Sequence, residues 1–446
     1  MWILLVSLLI LLFLEYIIFN KYVLSPSLII TMMFFLSTFM LLFYAKRWGM
    51  VWNDKTTAVI LVGILASIIG ELFAKKSARR CKGLFDAGIS YKRKMFLGKE
   101  DFRENVITLS LGSLIGLNLI CVVTLIVYYK ETIRIASFYA GYETLLLMQV
   151  NKIKTSGYAV SSLAQQLLTI SNSIALLFAY IVVMNLKKKE KIKYKLLYFS
   201  PMVLYLITAL FTSGRAVLLH FLIAAFVIWF LVYDRERSFV RRGNIKLFSR
   251  VIILVVAIIV IFYYAGMLTG KSLHYDALSD NMANYFCSSI YALNAYLGDP
   301  AIFDSSSFFG IHTFSGLYTT LRTIGIDIPR SVVALEYIPC GYVVTNIYTA
   351  LRRYFQDFGW VGLFFIMFAV SWFYSRIIAL NRTEHFSGVR TILTGMIFYP
   401  LVFMSIEERF FMNVISISTI YCLVYISILY AVFVYPQTKI VSVKGR

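Results

Sequence analysis

Charge is what this sequence has least of. Only 15% of its 446 residues are Asp, Glu, Lys or Arg, while 60% are hydrophobic and 17% aromatic. Soluble domains sit near roughly a quarter charged, so two or three water-soluble domains are excluded. Other absences exclude particular chemistries. The five cysteines, Cys81, Cys121, Cys287, Cys340 and Cys422, form no C-x-x-C pair and no metal-ligand spacing. There is no G-x-x-x-x-G-K-[ST] loop for a nucleotide and no G-x-G-x-x-G turn. H-E-x-x-H, the G-x-S-x-G elbow and an outward acid pair for a metal are missing too. A nucleotide-driven pump and a nucleotide-sugar transferase are therefore disfavoured, and the expectation is a protein that uses no cofactor and no metal.

What is present is apolar helix. A hydrocarbon core of about 30 Å takes about 20 residues of helix to cross. Apolar runs at 2–19, 26–44, 57–74, 106–129, 165–186, 196–212, 215–233, 251–268, 359–379, 390–404 and 414–435 predict an all-α polytopic membrane protein of about eleven transmembrane helices. The first run lacks a basic leader and a small-residue cleavage site, so it reads as a retained span. The net charge of +21 suggests nucleic acid until its placement is considered. Basic runs at 75–82, 91–94, 187–195, 235–246 and the C-terminal tail lie between apolar spans, as the positive-inside rule requires of cytoplasmic loops. Those loops and the smaller inner ones account for the whole excess, which argues for a lipid bilayer and against a nucleic-acid partner. The alternation places the N-terminus outside and the C-terminus in the cytoplasm. It leaves the long segment 269–358 outside, as one outer-face loop of a single membrane domain (1–446). Long ordered loops are generally functional, and 282–297 reads as a helix suited to the membrane interface. Cys287 and Cys340 share this loop, which leaves a disulfide between them open, whereas Cys121 and Cys422 read as core-packing residues.

The chain is organised around T-N-I-Y-T-A-L-R-R-Y-F-Q-D-F-G at 345–359. As a helix it would place Asn346, Thr349, Arg353 and Asp357 on one face, with Tyr348, Arg352, Phe355 and Gln356 beside them. One reading is an interfacial collar of aromatics with snorkelling arginines. The other is a site for an anionic, lipid-linked substrate. Arg215, opening the seventh span after Ser213 and Gly214, supports the second, because an arginine near bilayer depth is expensive unless it is paired or functional. Further outward arginines are Arg322, Arg330 and Arg409. Guanidinium groups grip phosphate oxygens bidentately and stay charged everywhere. Arg215, Arg352, Arg353, Arg409 and Arg322 are thus candidate ligands of a pyrophosphate. Asn346, Tyr348, Tyr354 and Gln356 offer amide and aromatic surface for a glycan or lipid. Among the outer acids and bases, which include Glu336 and Glu408, the ranking for general base is His312, then Glu407, then Asp357. Asp357 has the alternative of pairing with Arg353 four residues earlier.

T-N-I-Y-T-A-L-R (345–352), Y-F-Q-D-F-G-W-V-G-L (354–363) and S-G-R-A-V-L-L (213–219), with one large outer loop in the second half, resemble the bacterial oligosaccharide repeat-unit polymerases of O-antigen and capsule synthesis. Many members carry Pro where this chain has Arg353, which leaves Arg352 the family-like arginine. The resemblance implies a GT-C-like membrane glycosyltransferase in the bacterial cytoplasmic membrane, with its active face outward. It would move a growing glycan from undecaprenyl pyrophosphate onto the next carrier-linked oligosaccharide, beside a flippase and a chain-length regulator. A ligase delivering finished glycan to a lipid-A core, a lipid-linked oligosaccharide flippase and a non-catalytic scaffold are the alternatives left open.

Overall fold

The computed structural model describes residues 1–20, 22–96, 106–154, 160–188, 193–234, 264, 283–300, 303, 308–330, 332–341, 343–381 and 387–437. In chain order the helices described are α1 (Trp2–Ile18), α2 (Pro26–Tyr44), α3 (Asp54–Phe96), α4 (Leu111–Ala136), α5 (Leu146–Lys154), α6 (Ser162–Lys187), α7 (Lys195–Phe211) and α8 (Arg215–Asp234). The second half continues with α9 (Ser288–Gly298), α10 (Ser315–Thr323), a hairpin of β1 (Ile338–Cys340) and β2 (Val343–Thr345), α11 (Ala350–Asn381), α12 (Gly388–Met396), α13 (Tyr399–Phe403), a π-turn (Phe410–Val414) and α14 (Ile417–Phe433). Seven helical segments among the described residues are long and apolar enough to cross a membrane: 26–44, 54–77, 111–136, 162–187, 215–233, 350–381 and 417–437. The chain is an all-α membrane protein. The expected runs at 2–19, 196–212 and 390–404 correspond to shorter apolar helices, and 251–268 lies outside the described residues apart from Tyr264.

Local chemistry sets the ends. The expected span from 106 begins at Leu111, because the Asn185 side chain ties up both the N–H (2.9 Å) and the carbonyl (2.9 Å) of Ile107 outside the helix. Ser110 then caps α4, accepting from the Ser113 amide at 3.2 Å. The expected helix over 390–404 is two pieces separated at Ile397 and Phe398. Pro400 lacks the N–H a continuous helix needs, and it sits in the first turn of α13, where that donor has no intrahelical partner anyway. Within α11, Gly359 (φ 61°, ψ −154°) breaks the helix in a conformation that side chains with a Cβ rarely adopt.

Two compact units divide the chain, each assembled from separate stretches. The first comprises 1–94, 277–380 and 398–419. There α3 approaches α11 so closely that a Cβ on Gly70 would overlap the Phe368 carbonyl. Glu71, fully buried, accepts from Ser25 Oγ (2.8 Å), Ser27 Oγ (2.8 Å) and the Ser27 amide (3.0 Å), and pairs with Lys75 at 2.7 Å. Glu15, also fully buried, accepts from Thr31 Oγ1 at 2.8 Å. The second unit comprises 95–276, 381–397 and 420–446. Its core gathers Leu114, Leu117, Leu177, Phe178, Tyr205, Phe221, Ile228, Ile392 and Ile426. Cys121 and Cys422 are buried in that core, the latter with its sulfur 3.2 Å from Ser173 Oγ.

The helix expected at 282–297 appears as a short helical turn at 283–286 followed by α9, and it is enclosed by protein. Ser289 Oγ donates to the Ser405 carbonyl (2.6 Å), and the Asn294 side chain donates to the Val51 carbonyl (2.8 Å) and accepts from the Asn53 amide (2.8 Å). Cys287 and Cys340 are buried free thiols, so the disulfide left open by their loop is not formed.

Candidate functional site

The site lies in the first unit, where the segment before α11 folds back on it. The run expected to be helical from Thr345 is not. Thr345 pairs with Ile338 in the hairpin, its hydroxyl accepts from the Ile347 amide (3.1 Å), and the helix starts only at Ala350, whose amide donates to the Met404 carbonyl (3.0 Å). Asn346 and Tyr348 therefore sit on an irregular approach to the helix, not on its face.

Arg352 is fully buried. Its guanidinium carbon lies 3.9 Å from the ring centroid of Tyr348 and 4.9 Å from those of Tyr296 and Phe303, an aromatic enclosure on three sides. Nη2 donates to Glu336 Oε2 at 2.5 Å, and Tyr348 Oη donates to the Glu336 carbonyl at 3.2 Å. Nε and Nη1 have no hydrogen-bond partner among the described residues. Burial pushes the Tyr348 phenol up to about 12, with the charge of Arg352 pulling the other way. Tyr296 is raised for the same reason.

Arg353 has a different task. Nη1 donates to the carbonyls of His312 (2.9 Å) and Val332 (2.6 Å), and Nη2 to that of Val333 (2.7 Å). Three backbone carbonyls engage the guanidinium, so Arg353 fastens loops instead of presenting an open fork. His312, whose carbonyl it holds, is fully buried and, like Arg352, is not among the residues that line the cavity described below. Asp357 accepts from the Thr313 amide at 2.6 Å, and Thr313 Oγ1 donates to the Arg353 carbonyl at 3.0 Å. The carboxylate thus orders the His312–Thr313 turn.

The other wall comes from the turn after α13. Glu407 and Arg409 form an ion pair, both partly exposed. Between them Glu408 points inward, fully buried: Oε1 accepts from the Phe411 amide (2.7 Å) and Tyr354 Oη (3.2 Å), and Oε2 from the Met412 amide (2.9 Å). Burial pushes the Glu408 carboxyl up, while those amides and the charge of Arg353 oppose the shift. Tyr354 is wholly buried against Phe411, which makes it a packing residue and not an accessible glycan surface.

A cavity of about 290 Å³ opens between these walls, lined by Asn346, Tyr348, Arg353, Glu407, Arg409 and Met412 together with residues 333–335 and Ile347. Five residues singled out in the sequence thus converge on it. Arg322 does not: it is exposed on α10 and donates to the Ile328 carbonyl at 2.7 Å. Gln356 is half-buried on α11 outside the lining. Arg215 opens α8 as expected and is buried in the second unit. Sequence reasoning missed Glu408 as an organiser and Glu336, Tyr296 and Phe303 as the surroundings of Arg352. The two acids were visible only as members of a set of outer carboxylates.

The fold and site define a helical membrane protein with a buried, incompletely paired arginine beside a mixed-charge cavity. No family model, no curated protein and no solved structure matches the chain.

Proposed function

We propose that the protein is a membrane glycosyltransferase that polymerises undecaprenyl-pyrophosphate-linked oligosaccharide repeat units into O-antigen or capsular polysaccharide. In this reading the shorter apolar helices at 2–18, 195–211 and 388–403, with the run at 251–268, complete eleven spans. The termini lie outside and in the cytoplasm respectively, and the site faces outward from the bacterial cytoplasmic membrane.

The observation that carries the proposal is Arg352: a fully buried guanidinium with Nε and Nη1 unfilled among the described residues. Leaving such donors unmade is costly in a folded protein, and a diphosphate supplies the missing oxygens. Arg409 adds a second charge at the cavity wall. The acceptor hydroxyl attacks the anomeric carbon, the bond from that carbon to the diphosphate oxygen breaks, and the electron pair leaves on phosphate. Arg352 and Arg409 stabilise that charge as it develops. Glu407, on the cavity wall and partly exposed, takes the hydroxyl proton in place of the enclosed His312. Arg353 and Asp357 hold the loops that shape the cavity, and Asn346 and Tyr348 line it for the glycan.

The test uses purified full-length protein with synthetic lipid-linked repeat units, scoring chain extension on gels. Arg352→Lys keeps the charge but loses the planar fork, and extension is expected to fall about ten- to a hundredfold. Wild-type extension by a normally folded Arg352→Lys variant would overturn the proposal.

A further inference from the structure

The mouth of α11 carries an exposed aromatic ring on a turn that is fastened from both sides. Phe309 is 70% exposed. Tyr318 Oη donates to its carbonyl at 2.6 Å, and the Phe314 amide donates to the Gly310 carbonyl at 2.8 Å. Asp357 takes the Thr313 amide and Arg353 donates to the His312 carbonyl, so the turn is fixed to the start of α11. Gly310 permits the close approach: its φ is 63°, and a Cβ there would lie 2.9 Å from the Phe358 ring. The Phe309 ring meets Phe358 edge-on, with centroids 5.1 Å apart. The depth of that contact follows from α11. Beyond Gly359 the helix is apolar, and Trp360 and Val361 are 45% and 68% exposed. A Cβ on Gly362 would overlap that of Phe358, so the Phe358 side chain lies over the first turn of this apolar stretch. Phe309 therefore sits at the level where the spanning segment begins. An exposed Trp at the end of such a segment marks the boundary between membrane and water.

We infer that the turn from Phe308 to Phe314 is an interfacial anchor, and that Phe309 inserts into the lipid leaflet at the mouth of α11. The inference needs no glycan and no diphosphate, so it stands apart from the proposed activity. In water the phenyl ring leaves its apolar surface hydrated, whereas among acyl chains that surface is buried. The turn is already fixed by its hydrogen bonds, so insertion adds little ordering cost. A lipid surface fits because Phe309 continues the apolar face that α11 exposes at Trp360 and Val361. Asp357, beside Phe358 in the chain, directs its carboxylate to the Thr313 amide and leaves the ring contact apolar. The interfacial role expected of 282–297 thus passes to a different part of the same loop. Its effect reaches the cavity, because the turn supplies the His312 carbonyl that holds Arg353 in the cavity wall.

The experiment uses the full-length protein in phosphatidylcholine nanodiscs. A nitroxide is attached at Phe309→Cys in a Cys81→Ser background, the other four cysteines being buried. Its collision rates with oxygen and with a water-soluble nickel chelate are compared by power saturation. The oxygen-to-nickel ratio should match that at Val361→Cys and exceed several-fold that at Asp327→Cys, an exposed position after α10. A ratio at the Asp327 level places the ring in water, and exclusion of both reagents places it under protein; either result overturns the inference. Should Phe309→Cys fail to fold, the wild-type protein is irradiated in nanodiscs that contain a diazirine-bearing phospholipid, and adducts are mapped by mass spectrometry. Adducts are expected on 308–314 as well as on 360–365. Adducts on 360–365 alone overturn the anchor, and their absence from both removes the lipid-facing surface that it continues.

Discussion

Replacing Glu408 by Ala strips the buried carboxylate from three donors at once: the Phe411 amide, the Met412 amide and the Tyr354 hydroxyl. A buried donor left unmade costs about 1–3 kcal/mol, so the three together should cost at least about 3 kcal/mol. That is a large share of a typical net stability of about 5–15 kcal/mol. Arg353 would also lose a nearby negative charge that its own burial needs. Glu408→Gln is the graded control. Whichever way the amide is turned, its NH₂ meets at least one N–H or O–H donor, so one bond is lost and about 1–3 kcal/mol with it. The readout is the denaturant midpoint at which Cys287 and Cys340, both buried in the same unit, become reactive to a maleimide. The expected order is wild type, then Gln, then Ala. A Glu408→Ala protein within about 0.5 kcal/mol of wild type, the scatter of ordinary surface changes, would refute the role of Glu408 as organiser of the turn.

Four further outcomes are expected. Because burial raises the Glu408 pKa above its usual 4.5, its contribution to stability is fully present below that value and declines as pH rises through the folded-state pKa. Thiol-reactivity midpoints measured from pH 4.5 to 8 should therefore fall in wild type and flatten in Glu408→Gln. Gly70→Ala places a methyl on the Phe368 carbonyl and should destabilise the α3–α11 packing by about 1–3 kcal/mol, read by the same midpoint. Chain extension should proceed in EDTA without nucleotide; activity that stops on chelation and returns with magnesium would show that the outer carboxylates bind a metal. A Thr323→Cys variant should label with an impermeant maleimide in intact cells and Lys195→Cys should not, and the reverse pattern would invert the topology.

The helices were legible because a bilayer demands about 20 apolar residues in a row, a signal carried entirely by local sequence. The start of α8 at Arg215 followed from the same logic. The surroundings of the arginines were not legible. Arg352 meets Glu336, Tyr296 and Phe303, residues on other elements with no fixed spacing from it, so no periodicity could announce them. The sequence placed both Arg352 and Arg353 among the candidate pyrophosphate ligands, and only the family resemblance favoured Arg352. Adjacent residues on a helix point about 100° apart, and the fold gave one a cage and the other three carbonyls. His312 ranked first as a base on its side-chain chemistry alone, which says nothing of access. Helix periodicity likewise could not register that Thr345 is claimed by β pairing with Ile338.

The cradle around Glu71 has a consequence for the order in which the protein is made. Ser25 and Ser27 stand where the link from α1 enters α2, yet the carboxylate that gathers them is supplied 44 to 46 residues later, from α3. While only the first two helices have left the ribosome, that link has two hydroxyls and an amide with no such acceptor. The N-terminal helix pair is thus provisional at birth, and the arrival of the third helix fastens it. A chain cut between α2 and α3 should keep only the Glu15–Thr31 bond between its two helices, whereas one that includes Glu71 should also fasten the link.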